Sequence, residues 1–175
     1  DPGVCGGDVT IHLELHMPPS TVLVVGCGHV GRAVVDLASW LGFHVVATDD
    51  RTEVANELGD GLPEDSDVDV RPGQLSDVLA ELELGASDHV VVVTRNAQVD
   101  VVNLPHLLAT NAGSIGVMGS LRRWETTRKA LVESGVSEAE LDRVTSPVGV
   151  EIGAETPEEI AVSILAQVVG QHRTS

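Results

Sequence analysis

A glycine-rich segment between two apolar runs is the feature that most constrains the fold of this chain. Thr21–Val25 is an apolar run that leads into Gly-Cys-Gly-His-Val-Gly, and apolar residues then recur at helical spacing over Arg32–Leu41. A second apolar run, His44–Thr48, comes next. Strand, helix and strand within about 30 residues make a βαβ unit. The sequence therefore predicts a parallel sheet.

Further apolar runs extend this sheet. We expect strands at Val68–Val70, His89–Thr94 and Ser114–Met118, and helices at Gln74–Leu84, near Val102–Thr110 and from Gly119-Ser120 to about Ser134. The run of valines in the strand at His89–Thr94 is typical of a strand buried on both faces. These alternating elements predict an α/β fold of the doubly wound, Rossmann-like kind, with a mostly parallel sheet and helices on both faces.

The remaining elements are predicted by their capping residues. Ser137 begins a segment with capping-box spacing, which predicts a short helix. The last helix has Thr156 as its N-cap, Pro157 at its first position and Glu159 to complete the box. Between the second and third strands, Glu57–Asp69 is acidic and contains two glycines and a proline, so we expect a loop there.

The first 20 residues are expected to form a strand and a linker, and residues 21–175 a single dinucleotide-binding domain. Apolar and polar residues alternate over 9–17, which predicts a half-buried strand. Its polar side carries His12, Glu14 and His16, but solvated strand residues explain these better than a metal site does. Nothing in the sequence indicates that the thiol of Cys5 is activated, and we name no metal ligands.

Charge and composition exclude several classes of partner. The net charge is −17, from 27 acidic and 10 basic residues, and only Lys129 is a lysine. We therefore expect no nucleic-acid partner. This balance is typical of a halophilic cytoplasm, and equally of a lysine-poor genome. Without a secretory signal or a run of about 20 apolar residues, the chain is predicted to be cytoplasmic and away from membranes.

The glycine motif carries the chemistry. Gly26, Gly28 and Gly31 satisfy G-x-G-x-x-G, which provides a tight turn, close approach of the backbone to a pyrophosphate and close packing of helix on sheet. A helix that begins near His29 would direct its N–H groups at the phosphates. Asp49 ends the second strand, where a carboxylate can take the ribose hydroxyls. This favours NAD over NADP, although the neighbouring Arg51 weakens the preference.

Two further segments lie at the ligand-binding edge of such a sheet. Thr94 and Arg95 follow a buried strand, where they would either contact a ligand or form a polar strand exit. The helix after Gly119 holds four of the ten basic residues, which would either bind an anion or balance nearby glutamates. The candidate cofactor-binding residues are Gly26, Gly28, His29, Val30, Gly31, Asp49, Asp50, Arg51, Thr94, Arg95, Gly119, Ser120, Arg122 and Arg123.

Four blocks of sequence carry a resemblance to a known family. They are the glycine segment Val24–Ala33, the Thr-Asp-Asp-Arg that ends the second strand, the segment Gly116–Arg123, and above all Ser146–Ala161, which reads Ser-Pro-Val-Gly-Val-Glu-Ile-Gly-Ala-Glu-Thr-Pro-Glu-Glu-Ile-Ala. Together they resemble the C-terminal Rossmann domain of the XdhC/CoxI family, the xanthine dehydrogenase accessory factors. The resemblance spans nearly the whole chain.

The resemblance implies an accessory factor for a molybdenum hydroxylase of the xanthine or carbon monoxide dehydrogenase type. Such a factor binds molybdenum cofactor, assists its maturation and delivers it to the apo-hydroxylase, and a homodimer is one assembly we consider. The sequence departs from the family in lacking its N-terminal domain. It also has Leu121 where arginine is usual and Gln98 where histidine is common.

Two other functions stay open. An NAD-sensing regulatory domain would share the first 30 residues or so, and an NAD(P)-dependent oxidoreductase would share the whole nucleotide site. The sequence identifies no catalytic residue, so we favour a non-catalytic accessory protein.

Overall fold

A computed structural model describes residues 10–12 and 19–174 of the chain. Within these residues there are six strands and seven helices. In chain order they are β1 (Thr21–Val25), α1 (His29–Trp40), β2 (His44–Asp49), α2 (Thr52–Asp60), β3 (Val68–Pro72), α3 (Leu75–Glu81), β4 (His89–Val92), α4 (Ala97–Leu108), β5 (Ser114–Val117), α5 (Leu121–Glu133), α6 (Glu138–Leu141), β6 (Val144–Thr145) and α7 (Pro157–Thr174). None of these helices is long and apolar enough to cross a bilayer.

The strands form one parallel sheet in the order β3-β2-β1-β4-β5-β6. This order reverses direction between β1 and β4, which is where doubly wound sheets bind their ligands. Side chains alternate across β1, so that Leu23 packs on one face and Val22 on the other. The first face is covered by α3 to α6 and the second by α1, α2 and α7. The predicted doubly wound α/β fold is confirmed.

Helix α2 corrects one prediction. We expected a loop over Glu57–Asp69 and no helix before it, but α2 occupies Thr52–Asp60 and the loop is shorter. Ala55 and Leu58 are buried against the core, and their burial outweighs the roughly 1 kcal/mol that a glycine costs inside a helix. Tertiary packing thus overrides local propensity here.

One helix boundary and two strands also differ from expectation. Helix α4 begins at Ala97 rather than near Val102, because the side chain of Asn96 accepts a hydrogen bond from the N–H of Val99 and caps an earlier start. Strand β6, which is only two residues long, was not predicted. The strand predicted over 9–17 is absent at residues 10–12, and its other residues lie outside the described part of the chain, as does Cys5.

The segment between β6 and α7 is fixed to α7 by hydrogen bonds. The N–H of Gly149 donates to Oε1 of Gln167 at 2.8 Å, and Ser163 exchanges two bonds with the backbone of Val150. Gly149 has a φ of +113°, and a Cβ there would overlap the hydroxyl of Ser163. The predicted capping box is confirmed at the start of α7, where Thr156 and Glu159 exchange hydrogen bonds. This packing explains why so specific a sequence precedes the last helix.

We expect Gly149→Ala to lower the free energy of unfolding by about 2–4 kcal/mol, because alanine is strained at positive φ and its methyl group meets Ser163. The control is Gly170→Ala inside α7, where a Cβ has no neighbour within 4 Å. It should raise stability by about 0.5–1 kcal/mol. Urea denaturation measures both changes, and equal effects of the two variants would contradict the assigned role of Gly149.

Candidate functional site

The three glycines of the motif have three separate environments. Gly26 has a φ of +113°, and a Cβ there would lie 2.7 Å from the carbonyl oxygen of Val93. A Cβ at Gly31 would overlap the carbonyl oxygen of Gly26. Gly28, in contrast, has no atom within 4 Å of where its Cβ would be. Gly26 and Gly31 thus allow close packing of the loop, whereas Gly28 faces open space in which a ligand can approach the backbone.

Helix α1 begins beside that open space. Gly28 is its N-cap, and no side chain caps the first turn. The first hydrogen bond of the helix runs from the N–H of Arg32 to the carbonyl of Gly28, at 2.8 Å. Earlier N–H groups of a helix have no intrahelical acceptor, and together with the helix dipole they attract anions. His29 is exposed and Val30 is half-buried at this end of α1.

Asp49, at the end of β2, is bound within the protein. Its Oδ2 accepts hydrogen bonds from the N–H of Cys27 and from Nη2 of Arg51, both at 2.8 Å. Its Oδ1 accepts from the N–H and the Nε of Arg51, at 3.0 and 2.9 Å. The side chain is buried, which raises the pKa of a carboxyl group, but the bonds from Arg51 and Cys27 outweigh burial and hold the pKa of Asp49 below 3.8. Asp49 is therefore ionised at neutral pH.

A second ion pair joins the ends of β2 and β4. Arg95 donates two hydrogen bonds to the carboxylate of Asp50, at 2.7 and 2.9 Å. Both side chains are about one-third exposed, at 39% and 34%. Asp50 and Arg95 line a cleft between the two strand ends together with Gly26, Asp49 and Arg51.

A buried ion pair lies behind the cleft. Arg123 donates from Nε and Nη2 to Oδ2 of Asp100, at 2.9 and 2.6 Å, and from Nη2 to the hydroxyl of Thr94, at 2.9 Å. The hydroxyl of Thr94 in turn donates to the other oxygen of Asp100, which is fully buried. Arg123 thus links α5 to α4 and to the end of β4, and its guanidinium binds Asp100 and Thr94 inside the protein.

The start of α5 shows how the other anion-site candidates are placed. The hydroxyl of Ser120 accepts from the N–H of Arg123 at 3.2 Å and caps the helix. A Cβ at Gly119 would lie 2.9 Å from the side chain of Arg123. Arg122 is exposed, and its guanidinium makes no ion pair with any described residue.

The predicted residues therefore divide into three groups. Gly26, Asp49–Arg51 and Thr94–Arg95 line one cleft. Gly28–Gly31, at the start of α1, are not part of its lining, and Gly119–Arg123 form the start of α5. The cleft is also lined by Gly73, Val99 and Asn103, which sequence reasoning missed. Gly73 directly follows β3, so the rule that ligands bind at the carboxyl ends of strands could have found it. No three His, Cys, Asp or Glu residues within 10–12 and 19–174 could hold a metal ion.

We expect Asp49→Asn to destabilise the fold in a pH-dependent way. The folded pKa of Asp49 is depressed, so its contribution is present above the ordinary value of 3.8 and is lost as the pH falls through the lower folded value. Urea unfolding at about pH 7 should show a loss of about 1–3 kcal/mol, and the loss should shrink at about pH 3. The matched control, Asp50→Asn, removes an exposed ion pair and should cost less than about 1 kcal/mol. A pH-independent loss for Asp49→Asn would contradict the assignment.

The sequence of this chain is similar to known proteins over most of its length. The family model for the XdhC Rossmann domain matches residues 22–168. The uncharacterized protein YqeB of Escherichia coli K12 is 30% identical over 165 residues, which are 94% of this chain and 30% of YqeB. A probable xanthine dehydrogenase subunit from Bacillus subtilis is 33% identical over 160 residues, 87% of this chain and 43% of that protein.

A solved structure agrees. The crystal structure of a xanthine dehydrogenase from Bacillus halodurans superposes with a TM-score of 0.71 at 30% identity, over 90% of this chain and 44% of that one. The chain thus spans less than half the length of these three relatives. The family match covers both the glycine loop and the specific segment that precedes α7, and the chain therefore belongs to the XdhC family, whose Rossmann domain it contains.

Proposed function

We propose that this chain binds a nicotinamide dinucleotide of the NAD type and acts as an accessory protein to a molybdenum hydroxylase. The observation that carries the first part is the open space at Gly28. It lies where the start of α1 faces the switch point of the sheet, between β1 and β4. An uncapped helix start with room for close backbone approach fits a pyrophosphate.

Each part of a dinucleotide has a place in this proposal. The N–H groups at the start of α1, near His29 and Val30, would hold the pyrophosphate. The cleft between Asp49–Arg51 and Thr94–Arg95 has a volume of about 20 Å³ while Asp50 and Arg95 are paired, and it would take the adenosine end once that exposed pair opened. The other half would extend toward the start of α5, across the switch point. The sequence favoured NAD over NADP, and the choice between these two nucleotides depends on how Asp49 and Arg51 meet the ribose.

An accessory function fits the cleft better than catalysis does. A bound nicotinamide supplies hydride-transfer chemistry, and an oxidoreductase adds a group that moves a proton. The carboxylates at this cleft are instead held in ion pairs, Asp49 with Arg51 and Asp50 with Arg95. A carboxylate with a lowered pKa, such as Asp49, is a poor general base near neutral pH.

The hydroxylase partner is supported by family membership and by the xanthine dehydrogenase named in two relatives. Molybdenum cofactor, the proposed cargo, is anionic through its phosphate. At the start of α5, Ser120 caps the helix and Arg123 is bound to Asp100, which leaves Arg122 as the cation there for such an anion.

We expect Gly28→Ala to weaken NAD binding about tenfold or more, because its methyl group would occupy the space through which the pyrophosphate approaches. The loss of about 1.4 kcal/mol or more that this implies is readily measured by calorimetric titration. Gly170→Ala is the matched control, since it makes the same chemical change inside α7. If the unmodified protein bound none of NAD, NADH and NADP, the dinucleotide site would be rejected.

The accessory function predicts a physical complex. The tagged full-length protein should co-purify with an apo-form molybdenum hydroxylase of its own organism, and the complex should weaken when that enzyme is loaded with cofactor. Absence of a complex at low and at high salt would reject this function. An assembly state that differed between NAD and NADH would instead favour a sensor. A substrate-dependent change in the absorbance of the nicotinamide at 340 nm would favour an oxidoreductase.

A further inference from the structure

We propose that the adenosine end of this site is built for a 2′-phosphorylated ribose, with Arg51 and Arg95 as the residues that bind the phosphate. This inference rests on the proposed dinucleotide site and names the class of nucleotide that the site selects. It depends on three observations: the hydrogen bonds of Asp49, the positions of the two guanidinium groups, and the exposure of the Asp50–Arg95 pair.

The carboxylate of Asp49 has no vacant position for ribose hydroxyls. An ionised carboxylate offers about four acceptor positions, and Asp49 accepts four hydrogen bonds, from the N–H groups of Cys27 and Arg51 and from two nitrogens of the Arg51 guanidinium. The side chain is only 2% exposed. A ribose hydroxyl could bind it only after Arg51 had left.

Two guanidinium groups line the same cleft as that carboxylate. The side chains of Arg51 and Arg95 are 37% and 39% exposed, and both line the cleft. The pKa of Arg51 is raised by its hydrogen bonds to Asp49, and the positive charge of Arg95 opposes that rise, so the two groups lie within electrostatic range of each other. Nη1 of Arg51 has no hydrogen-bond partner among the described residues. A phosphate between two arginines would receive donors from both.

The two ion pairs reduce the repulsion that a 2′-phosphate would meet at this cleft. The charge of Asp49 is neutralised by Arg51, so it repels a 2′-phosphate far less than a free carboxylate would. Arg95 is held by Asp50 in an exposed ion pair, which contributes little to stability and can be exchanged for a phosphate. An arginine beside the end of β2 is the established means of accommodating a 2′-phosphate in this class of fold. After the exchange Asp50 would be the one carboxylate left unpaired near the phosphate.

The test is calorimetric titration of the full chain with NADP and NAD in dilute buffer, since salt weakens contacts between exposed charges. We expect NADP to bind about tenfold more tightly than NAD. Arg95→Gln should reduce NADP affinity and leave NAD affinity unchanged. Arg51→Gln should reverse the preference, because it removes a phosphate ligand and frees Asp49 for ribose hydroxyls. Asp50→Asn should strengthen NADP binding alone.

Arg173→Gln is the matched control, because it removes an exposed arginine near the opposite edge of the sheet. Equal or tighter binding of NAD by the unmodified protein would overturn this inference and leave the dinucleotide site standing, as would an NADP preference that Arg95→Gln does not change. Adenosine 2′,5′-bisphosphate separates the remaining cases. If it binds better than 5′-ADP while no dinucleotide binds, the phosphate site stands and the proposed function fails. If none of these nucleotides binds, both are rejected.

Discussion

The carboxylate of Asp49 holds the ligand edge of this protein together. It joins the glycine loop after β1 to the end of β2, because one oxygen accepts the N–H of Cys27 and both accept donors of Arg51. The shape of the glycine loop and the position of Arg51 thus depend on one buried charge. Such a charge is stable in the interior only when it is paired and hydrogen-bonded, and every contact of Asp49 serves that purpose.

The other wall of the cleft is fixed by a different buried charge. Asp100 binds Arg123 and Thr94, and these bonds join the end of β4 to the starts of α4 and α5. A buried, hydrogen-bonded carboxylate thus supports each side of the cleft, and the exposed ion pair of Asp50 and Arg95 connects the two sides. Because an exposed ion pair contributes little to stability, the Asp50–Arg95 pair could open for a ligand while the two buried carboxylates keep their partners.

Sequence reasoning recovered most of the elements because their signals are local. The glycine spacing, the apolar runs and the capping residues each lie within one element or turn, and they predicted every strand from β1 to β5. It failed where the outcome depends on distant partners. Helix α2, which was not predicted, buries Leu58 against the core, and Arg123 meets an acidic residue 23 positions away.

The site was predicted in outline for the same reason. Strand ends of a parallel sheet meet at one edge, so the sequence could bring Asp49, Arg51 and Arg95 together. The sequence could not predict the hydrogen bonds around Asp49, because side-chain geometry decides whether Arg51 covers the carboxylate or turns away. The sequence suggested a free carboxylate at the end of β2, whereas in the structure Asp49 is paired with the guanidinium of Arg51.

The three ion pairs of this edge have a consequence for how a ligand arrives. Asp49, Asp50 and Asp100 are each matched by an arginine, which takes three of the ten basic residues of a chain whose net charge is −17. The cleft is locally neutral within a strongly negative surface. An anionic nucleotide, if it is the ligand proposed above, would be repelled by the distant charges but not by the cleft itself, and added salt, which screens the distant charges first, would speed its capture.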